Sequence, residues 1–158
     1  PPKTWAATGW SDKSRPRAVI NSLYIEAEEM QRVSERLLAR YAAITERETR
    51  VEEFRMEDAE YCIAAYGTTA RIAKSAVLKL RQEGVKAGWP FPEAAFARAA
   101  DHVKAFLTVE MSAGQMVEDV RLAVAGRKPV YFQGTLGGFV PTTQGMVEEV
   151  LRLTKGRE

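Results

Sequence analysis

The sequence has 158 residues, of which 46% are hydrophobic and 28% charged, and its formal net charge at pH 7 is only +2. This composition is typical of one soluble globular domain with an appendage, and it excludes collagen-like, disulfide-framework and wholly disordered chains. The balanced charge, the lack of a long apolar stretch and the lack of a secretory signal predict a cytoplasmic protein that binds neither nucleic acid nor membranes.

Residues 1 to about 25 contain four residues that disfavour helices: Pro1, Pro2, Gly9 and Pro16. They predict an extended arm. From Glu26 to about Arg50, apolar residues recur at spacings of three and four, which predicts one amphipathic helix; they are Met30, Val33, Leu37, Tyr41 and Ile44. We assign residues 1–56 to this arm and connecting helix, and residues 57–158 to an α/β domain. Because the sequence does not begin with Met, we expect it to be a piece of a longer protein.

Apolar runs alternate with helical patterns throughout the second part. Strands are predicted at residues 61–66, 104–110 and 129–132. Residues 67–69 form a turn into a helix of about 14 residues that ends near Gly84, and further helices are predicted at residues 91–100, 114–124 and 142–153. This alternation predicts a mostly parallel sheet with helices on both faces, a flavodoxin-like or Rossmann-like α/β fold.

One junction contradicts that topology. A parallel unit needs a strand of about 5–6 residues between the helices that end near Gly84 and begin near Phe91. Residues 85–87 are too few for it, and Gly88 and Pro90 are poor strand residues. The local sequence therefore predicts no strand at the position where the topology requires one.

The only cysteine, Cys62, and the only histidine, His102, limit the chemistry. A single thiol cannot form an internal disulfide, a zinc site of several cysteines or a Cys-ligated iron–sulfur cluster. Cys62 lies in an apolar run, which favours an inert core thiol. His102 follows a short helix with no Ser or Cys close by, which favours a surface histidine. We expect no metal site and no redox centre in this chain.

Three loops are expected at the carboxyl edge of the sheet, where ligands of such folds bind: residues 67–69, 110–115 and 134–138. Thr68 or Thr69 would lie at a helix N-terminus, which can hold an anion. We favour the simpler interpretation that a threonine caps its own helix. The GxGxxG and P-loop lysine patterns are absent, so nothing indicates nucleotide binding.

A polar group follows the second strand: Glu110, Gln115, Glu118 and Asp119. One of its carboxylates could act as an acid or base near a developing charge. Alternatively, these residues form a solvated helix face on which Glu118 pairs with Arg121.

Gly137 and Gly138 give the third loop a flexible turn. They allow either a close approach to a ligand or left-handed backbone angles. Trp5, Trp10 and Trp89 lie outside the predicted elements, where they could anchor a protein interface or pack within the domain. None of these features identifies a reaction.

Three blocks of sequence closely resemble the alpha subunit of 2-oxoacid:ferredoxin oxidoreductases: EDAEYCIAAYGTTARIAKSAV (57–77), KAFLTVEMSAGQMVEDVRLAV (104–124) and PVYFQGTLGGFVPT (129–142). Upstream segments look most like the branched-chain, 2-oxoisovalerate (3-methyl-2-oxobutanoate) type: WAATG (5–9), VINSLY (19–24), ERLLARY (35–41) and RVEEFR (50–55). The resemblance covers nearly the whole chain. It implies a connector with a long helix, followed by a domain like the C-terminal domain of transketolase.

The resemblance implies oxidative decarboxylation of a 2-oxoacid with coenzyme A, using thiamine diphosphate with magnesium and iron–sulfur clusters that pass electrons to ferredoxin. The thiamine-binding half expected before Pro1 is not in this sequence, so we assign no cofactor and no catalytic residue to the chain. It would support the thiamine domain and dock the beta and gamma subunits and a ferredoxin-like delta subunit. The candidates for interface or near-site polar contacts are Gln115, Glu118, Asp119 and Arg121.

The family normally has a strand and an R-P-I-T-L-like segment directly before W-P-F-P, whereas Gly88 directly precedes Trp89 here. We therefore predict that residues are missing between Gly88 and Trp89. Two other interpretations stay open. One is a free-standing flavodoxin-like module that binds a small anion at Thr68 and Thr69 or a protein. The other is a transketolase-type domain of a different thiamine enzyme, which the GQMVEDVR block disfavours.

Overall fold

The computed structural model describes residues 21–50, 52–91 and 93–156. The chain divides into two units, Pro1–Glu48 and Thr49–Glu158. The described part of the first unit contains one helix, α1 (Ala27–Glu48), with acidic residues in its first turn and Arg47 in its last. This distribution of charge complements the helix dipole. The predicted long helix is confirmed, while most of the predicted arm, with Trp5 and Trp10, lies outside the described residues.

The second unit is an α/β sandwich built on one five-stranded sheet. Its elements are, in chain order, β1 (Glu52–Phe54), β2 (Tyr61–Ala64), α2 (Gly67–Gln82), β3 (Ala87–Phe91), α3 (Glu93–Ala99), β4 (Ala105–Glu110), α4 (Met116–Val124), β5 (Val130–Gly134) and α5 (Thr143–Thr154). The strand order is β1-β3-β2-β4-β5. β2 pairs in parallel with β3 and β4, β4 pairs in parallel with β5, and β1 is antiparallel to β3.

The predicted fold class, a mostly parallel sheet with helices, is confirmed. Alternate residues of the central strands point to opposite faces. On one face, Ile63 and Leu107 pack with residues of α2 and α5 in one apolar cluster. On the other face, Ala64 and Phe106 pack with residues of α3 and α4 in a second cluster. The predicted domain began at residue 57, but β1 belongs to this sheet, so the α/β unit begins at Thr49.

The expectation that no strand could form before α3 was wrong. β3 runs through Gly88 and Pro90, and its two halves have different partners. Ala87 and Gly88 pair with β2, whereas Trp89, Pro90 and Phe91 pair with β1. Pro90 therefore lies beyond the part of β3 that pairs with β2, and its missing N–H removes no hydrogen bond on that side. Gly88 and Trp89 are consecutive residues of β3 in this sequence. That residues are missing from the sequence between them remains a prediction.

Gly88 fits this strand because its neighbours come too close for a side chain. A Cβ atom placed on Gly88 would lie 2.5 Å from the Met56 sulfur and 2.6 Å from the carbonyl oxygen of Arg55. Both distances are shorter than van der Waals contact, and the carbonyl oxygen belongs to the backbone. Glycine, a poor strand former by propensity, is therefore required here by close packing.

Candidate functional site

The carboxyl ends of β2, β4 and β5 lie at one edge of the sheet, because these strands are neighbours and run in parallel. The predicted site residues come from the strand end, loops and helices at this edge, from Thr68 and Thr69 in α2 to Gly137 and Gly138 in the loop after β5. We call this part of the molecule the carboxyl edge. In doubly wound folds it is the usual place for a ligand.

Glu110, the last residue of β4, is the most distinctive polar residue of this edge. It is only 2% exposed. One of its carboxylate oxygens accepts hydrogen bonds from Ser112 Oγ (2.7 Å) and from the backbone N–H groups of Gln115 (3.0 Å) and Met116 (2.9 Å). The other accepts from the backbone N–H of Val117 at 2.8 Å. The carboxylate of Glu110 therefore caps the N-terminus of α4 from the end of the preceding strand.

This environment determines the charge of Glu110. Burial by itself raises the pKa of the carboxyl group, but the hydrogen bonds from Ser112 and from the α4 backbone favour the ionised form more strongly, and together they hold the pKa below its ordinary value. Both oxygens are engaged within the chain, so the group is arranged as a structural anion and not as a proton donor. We interpret Glu110 as a helix cap.

The other members of the predicted polar group lie on the exposed side of α4. Gln115 stands at the N-cap position and makes no side-chain capping bond. Glu118 pairs with Arg121 at 2.5 Å, and Asp119 is exposed in the first turn. This arrangement matches the solvated helix face that we considered as the alternative to an acid–base group. Their role in an interface remains a prediction.

The two threonines after β2 do not cap α2. The helix begins at Gly67, its N-cap residue is Tyr66, and no side chain caps it. Thr68 and Thr69 thus lie inside the first turn, where Thr68 is exposed and Thr69 is buried. The interpretation that a threonine caps its own helix was wrong at this position. A threonine does cap α5: Thr142 is its N-cap residue, and Thr142 Oγ1 accepts a hydrogen bond from the Gly145 N–H at 3.0 Å.

The turn after β5 uses its glycines for backbone geometry. Gly137 and Gly138 have φ angles of 64° and 86°, and no atom lies within 4 Å of a Cβ placed on either. Left-handed backbone, and not close approach of a neighbour, therefore accounts for glycine at both positions in the structure.

The sequence interpretation missed an apolar surface on the same edge. Large apolar side chains in all three loops are exposed: Tyr66, Met111, Leu136, Phe139 and Val140. Phe139 is 78% and Leu136 61% exposed. We call these five residues the apolar edge. The signal was present in the segment TLGGFVP, because a glycine-rich turn that carries Leu, Phe and Val is unusual for a purely solvated loop.

The remaining single residues follow their simpler interpretations. Cys62 is 1% exposed in β2, and burial raises the pKa of its thiol well above the ordinary value, which makes it inert. His102 is exposed. Trp89 is buried in β3, and its Nε1 donates to the carbonyl of Ala65 at 2.8 Å, so it packs within the domain.

In the described ranges no three His, Cys, Asp or Glu residues lie close enough together to form a metal site. No described helix has both the length and the apolar character of a membrane span.

The fold and its carboxyl edge place the second unit in the class of open, mostly parallel α/β domains. Residues 59–146 match the family described as pyruvate:ferredoxin oxidoreductase core domain II. The chain belongs to this family.

Relatives among characterised proteins agree with that assignment. The ketoisovalerate oxidoreductase subunit VorB of Methanothermobacter marburgensis is 35% identical over 87% of this chain and 40% of its own length. The 2-oxoglutarate synthase subunit KorA of Methanothermobacter thermautotrophicus is 30% identical over 78% of this chain and 35% of its own length. This chain thus spans about two fifths of these relatives.

A solved structure shares the fold. The 2-oxoglutarate:ferredoxin oxidoreductase from Magnetococcus marinus, solved with 2-oxoglutarate, coenzyme A and succinyl-CoA bound, has a TM-score of 0.72 to this chain at 17% identity. The match covers 82% of this chain and 24% of that one. It shows that this chain shares its fold with part of that structure.

Proposed function

We propose that this chain is the C-terminal portion of the alpha subunit of a cytoplasmic 2-oxoacid:ferredoxin oxidoreductase that acts on a branched-chain substrate, 2-oxoisovalerate. Its part in the oxidative decarboxylation is structural: it supports the thiamine-binding portion and docks the other subunits. Family membership and the similarity to the ketoisovalerate oxidoreductase subunit VorB support this proposal.

The observation that carries the docking role is the apolar edge. Its five side chains are contributed by the loops after three neighbouring strands, and each is at least 44% exposed. Exposed apolar groups gathered on one side of a domain mark interaction surfaces, and large aromatic and aliphatic side chains contribute most of the binding energy in such surfaces. We propose that this edge contacts another part of the oxidoreductase.

The residues of this chain support a structural role, in which the chain supplies no reacting group to the oxidative decarboxylation. Glu110, the buried carboxylate of the edge, is fully engaged by Ser112 and the α4 backbone. The single thiol of the sequence cannot hold an iron–sulfur cluster, and it is buried. Thiamine diphosphate with magnesium, the clusters and coenzyme A would therefore be held by other parts of the enzyme, which would also deliver the electrons to ferredoxin.

Co-expression tests this proposal. The chain, carrying an affinity tag, is produced together with the thiamine-binding portion and the beta and gamma subunits, and the purified material is assayed for dye reduction with 2-oxoisovalerate and coenzyme A. We expect the subunits to copurify with the tagged chain and the assay to depend on its presence. Activity of the chain alone, or no copurification, would contradict the proposal.

A matched pair of variants tests the surface. Leu136→Ser in the apolar edge should lower the yield of copurified subunits about tenfold, because an interface anchor is worth more than about 1 kcal/mol. Leu122→Ser is the control, since Leu122 is 77% exposed on α4, outside the apolar edge. It should leave the yield unchanged. Equal yields for the two variants would show that the apolar edge is not the docking surface.

A further inference from the structure

A second feature, separate from the apolar edge in its chemistry, is a cleft of about 400 Å³ at the side of the sheet where β1 and β3 lie. Its lining includes Arg50, Glu52, Ala70, Arg71, Lys74 and Trp89. These residues come from the segment before β1, from β1, from α2 and from β3. Its volume is within the range of small-molecule sites, about 300–1,000 Å³.

The charges of the cleft are unbalanced. Among the described residues that line the cleft, three are cationic, Arg50, Arg71 and Lys74, and one is a carboxylate, Glu52. Glu52 is paired with Lys74. Among the described residues, neither Arg50 nor Arg71 forms an ion pair, so the positive charge of the two guanidinium groups is not neutralised within this part of the chain.

Lys74, one of the cations that line the cleft, packs over two aromatic rings. The Lys74 Nζ lies 5.4 Å from the centroid of the Trp89 ring and 5.8 Å from that of Phe54, within the range of cation–π contacts. Trp89 in turn is fixed by its hydrogen bond to the Ala65 carbonyl. Lys74 is therefore held in place by its ion pair and two rings, while the two arginines remain available to a ligand.

We propose that this cleft binds a phosphate group of a small ligand, with Arg50 and Arg71 as its main contacts. A planar guanidinium donates two parallel hydrogen bonds to a phosphate, and a doubly charged phosphate would balance the two arginines. The side chains of Ala70 and Trp89 give the cleft an apolar part for the body of the ligand. Tyr66 of the apolar edge also lines the cleft, so the two surfaces adjoin at this residue. The proposal rests on the two arginines and does not depend on the docking role.

The test uses the full 158-residue chain and inorganic phosphate as the probe, followed by calorimetry and by NMR shifts of the amide groups around the cleft. We expect saturable binding that weakens as salt is added. Arg71→Gln and Arg50→Gln should each weaken phosphate binding at least tenfold. Arg36→Gln, which removes the same charge from α1, is the control and should leave binding unchanged. The absence of saturable binding in low salt, or equal affinity of all three variants, would overturn the proposal.

A further substitution should raise the affinity for phosphate instead of lowering it. Glu52→Gln removes the one carboxylate among the described residues of the lining. It should tighten phosphate binding about threefold, because this carboxylate repels a phosphate and pairs with Lys74 in an exposed ion pair of modest strength. Weaker binding in Glu52→Gln would show that phosphate does not occupy the cleft. Circular dichroism of each variant shows whether the fold is retained, so that a lost signal is attributed to the cleft only in a folded protein.

Discussion

At the scale of single residues, Glu110 explains why a carboxylate stands at the end of a buried strand. The four hydrogen bonds it accepts connect the end of β4 to the first turn of α4, and they satisfy N–H groups that a helix start otherwise leaves without partners. The sequence placed Glu110 at a strand end but gave no sign of this capping, because the donors are mainly backbone groups five to seven residues further on.

Glu110→Gln should lower the free energy of unfolding by about 2–3 kcal/mol at pH 7, because an amide presents one acceptor oxygen where the carboxylate has two charged ones. Since the folded pKa of Glu110 is lowered, its stabilisation is complete above the ordinary glutamate pKa of about 4.3 and is lost as the pH falls through the folded value. The difference between wild type and variant should therefore narrow in acid. Urea unfolding at several pH values measures it.

Glu118→Gln provides the control for that series, since Glu118 is an exposed partner of Arg121 on the same helix. Its effect should stay below about 1 kcal/mol. A Glu110→Gln variant as stable as Glu118→Gln would refute the capping role.

Gly88→Ala should destabilise the protein by about 1–3 kcal/mol, because the new methyl group overlaps the Arg55 carbonyl. Adding Met56→Ala removes the flexible neighbour but leaves that backbone oxygen, so the double variant should be no more stable than Gly88→Ala. Thermal unfolding compares them. Recovery of stability in the double variant would show that only the methionine side chain opposes a Cβ at this position.

At the scale of elements, the sequence predicted those with strong periodicity and missed those made by tertiary contacts. The helix α1 and the strands β2, β4 and β5 follow their apolar patterns closely. β1 and β3 were missed because Glu52–Phe54 is short and charged and because Gly88 and Pro90 are poor strand formers. Their pairing with each other, and the close approach of Arg55 to Gly88, outweigh these local preferences.

The end of α4 offers a stabilising change. Its C-cap residue, Ala125, is exposed and has left-handed angles, φ 51° and ψ 41°. Such angles cost an alanine about 1 kcal/mol relative to glycine. Ala125→Gly should therefore raise the free energy of unfolding by about 0.5–1 kcal/mol, as measured by urea unfolding. Ala94→Gly, an exposed alanine inside α3, should lower it by a similar amount. A loss of stability in Ala125→Gly would contradict the assigned cap geometry.

At the scale of the whole molecule, both apolar clusters of the core lie within Thr49–Glu158. A fragment of residues 49–158 should therefore fold alone, with a single cooperative transition and dispersed amide NMR signals. Its unfolding midpoint should remain within a few degrees of that of the full chain. A fragment without a cooperative transition would show that the first unit is needed to complete the fold.

The functional surfaces were less predictable than the fold. The sequence placed the segments after β2, β4 and β5 at the carboxyl edge, since that follows from strand order and direction, but residues 67–69 form the first turn of α2 and not a loop. It did not indicate the apolar edge or the cleft, because Arg50, Arg71 and Trp89 come from separate elements that only the folded sheet brings together.

The two halves of β3 pair with different strands, so the number of residues inserted between them determines which way the following side chains point. Residues before the Gly88–Trp89 junction are registered against β2, and those after it against β1. Because side chains alternate along a strand, an even number of inserted residues would leave the Trp89 indole on its present side, whereas an odd number would turn it away from Ala65. Homologous chains that differ in length at this junction should therefore differ by twos wherever the strand stays regular.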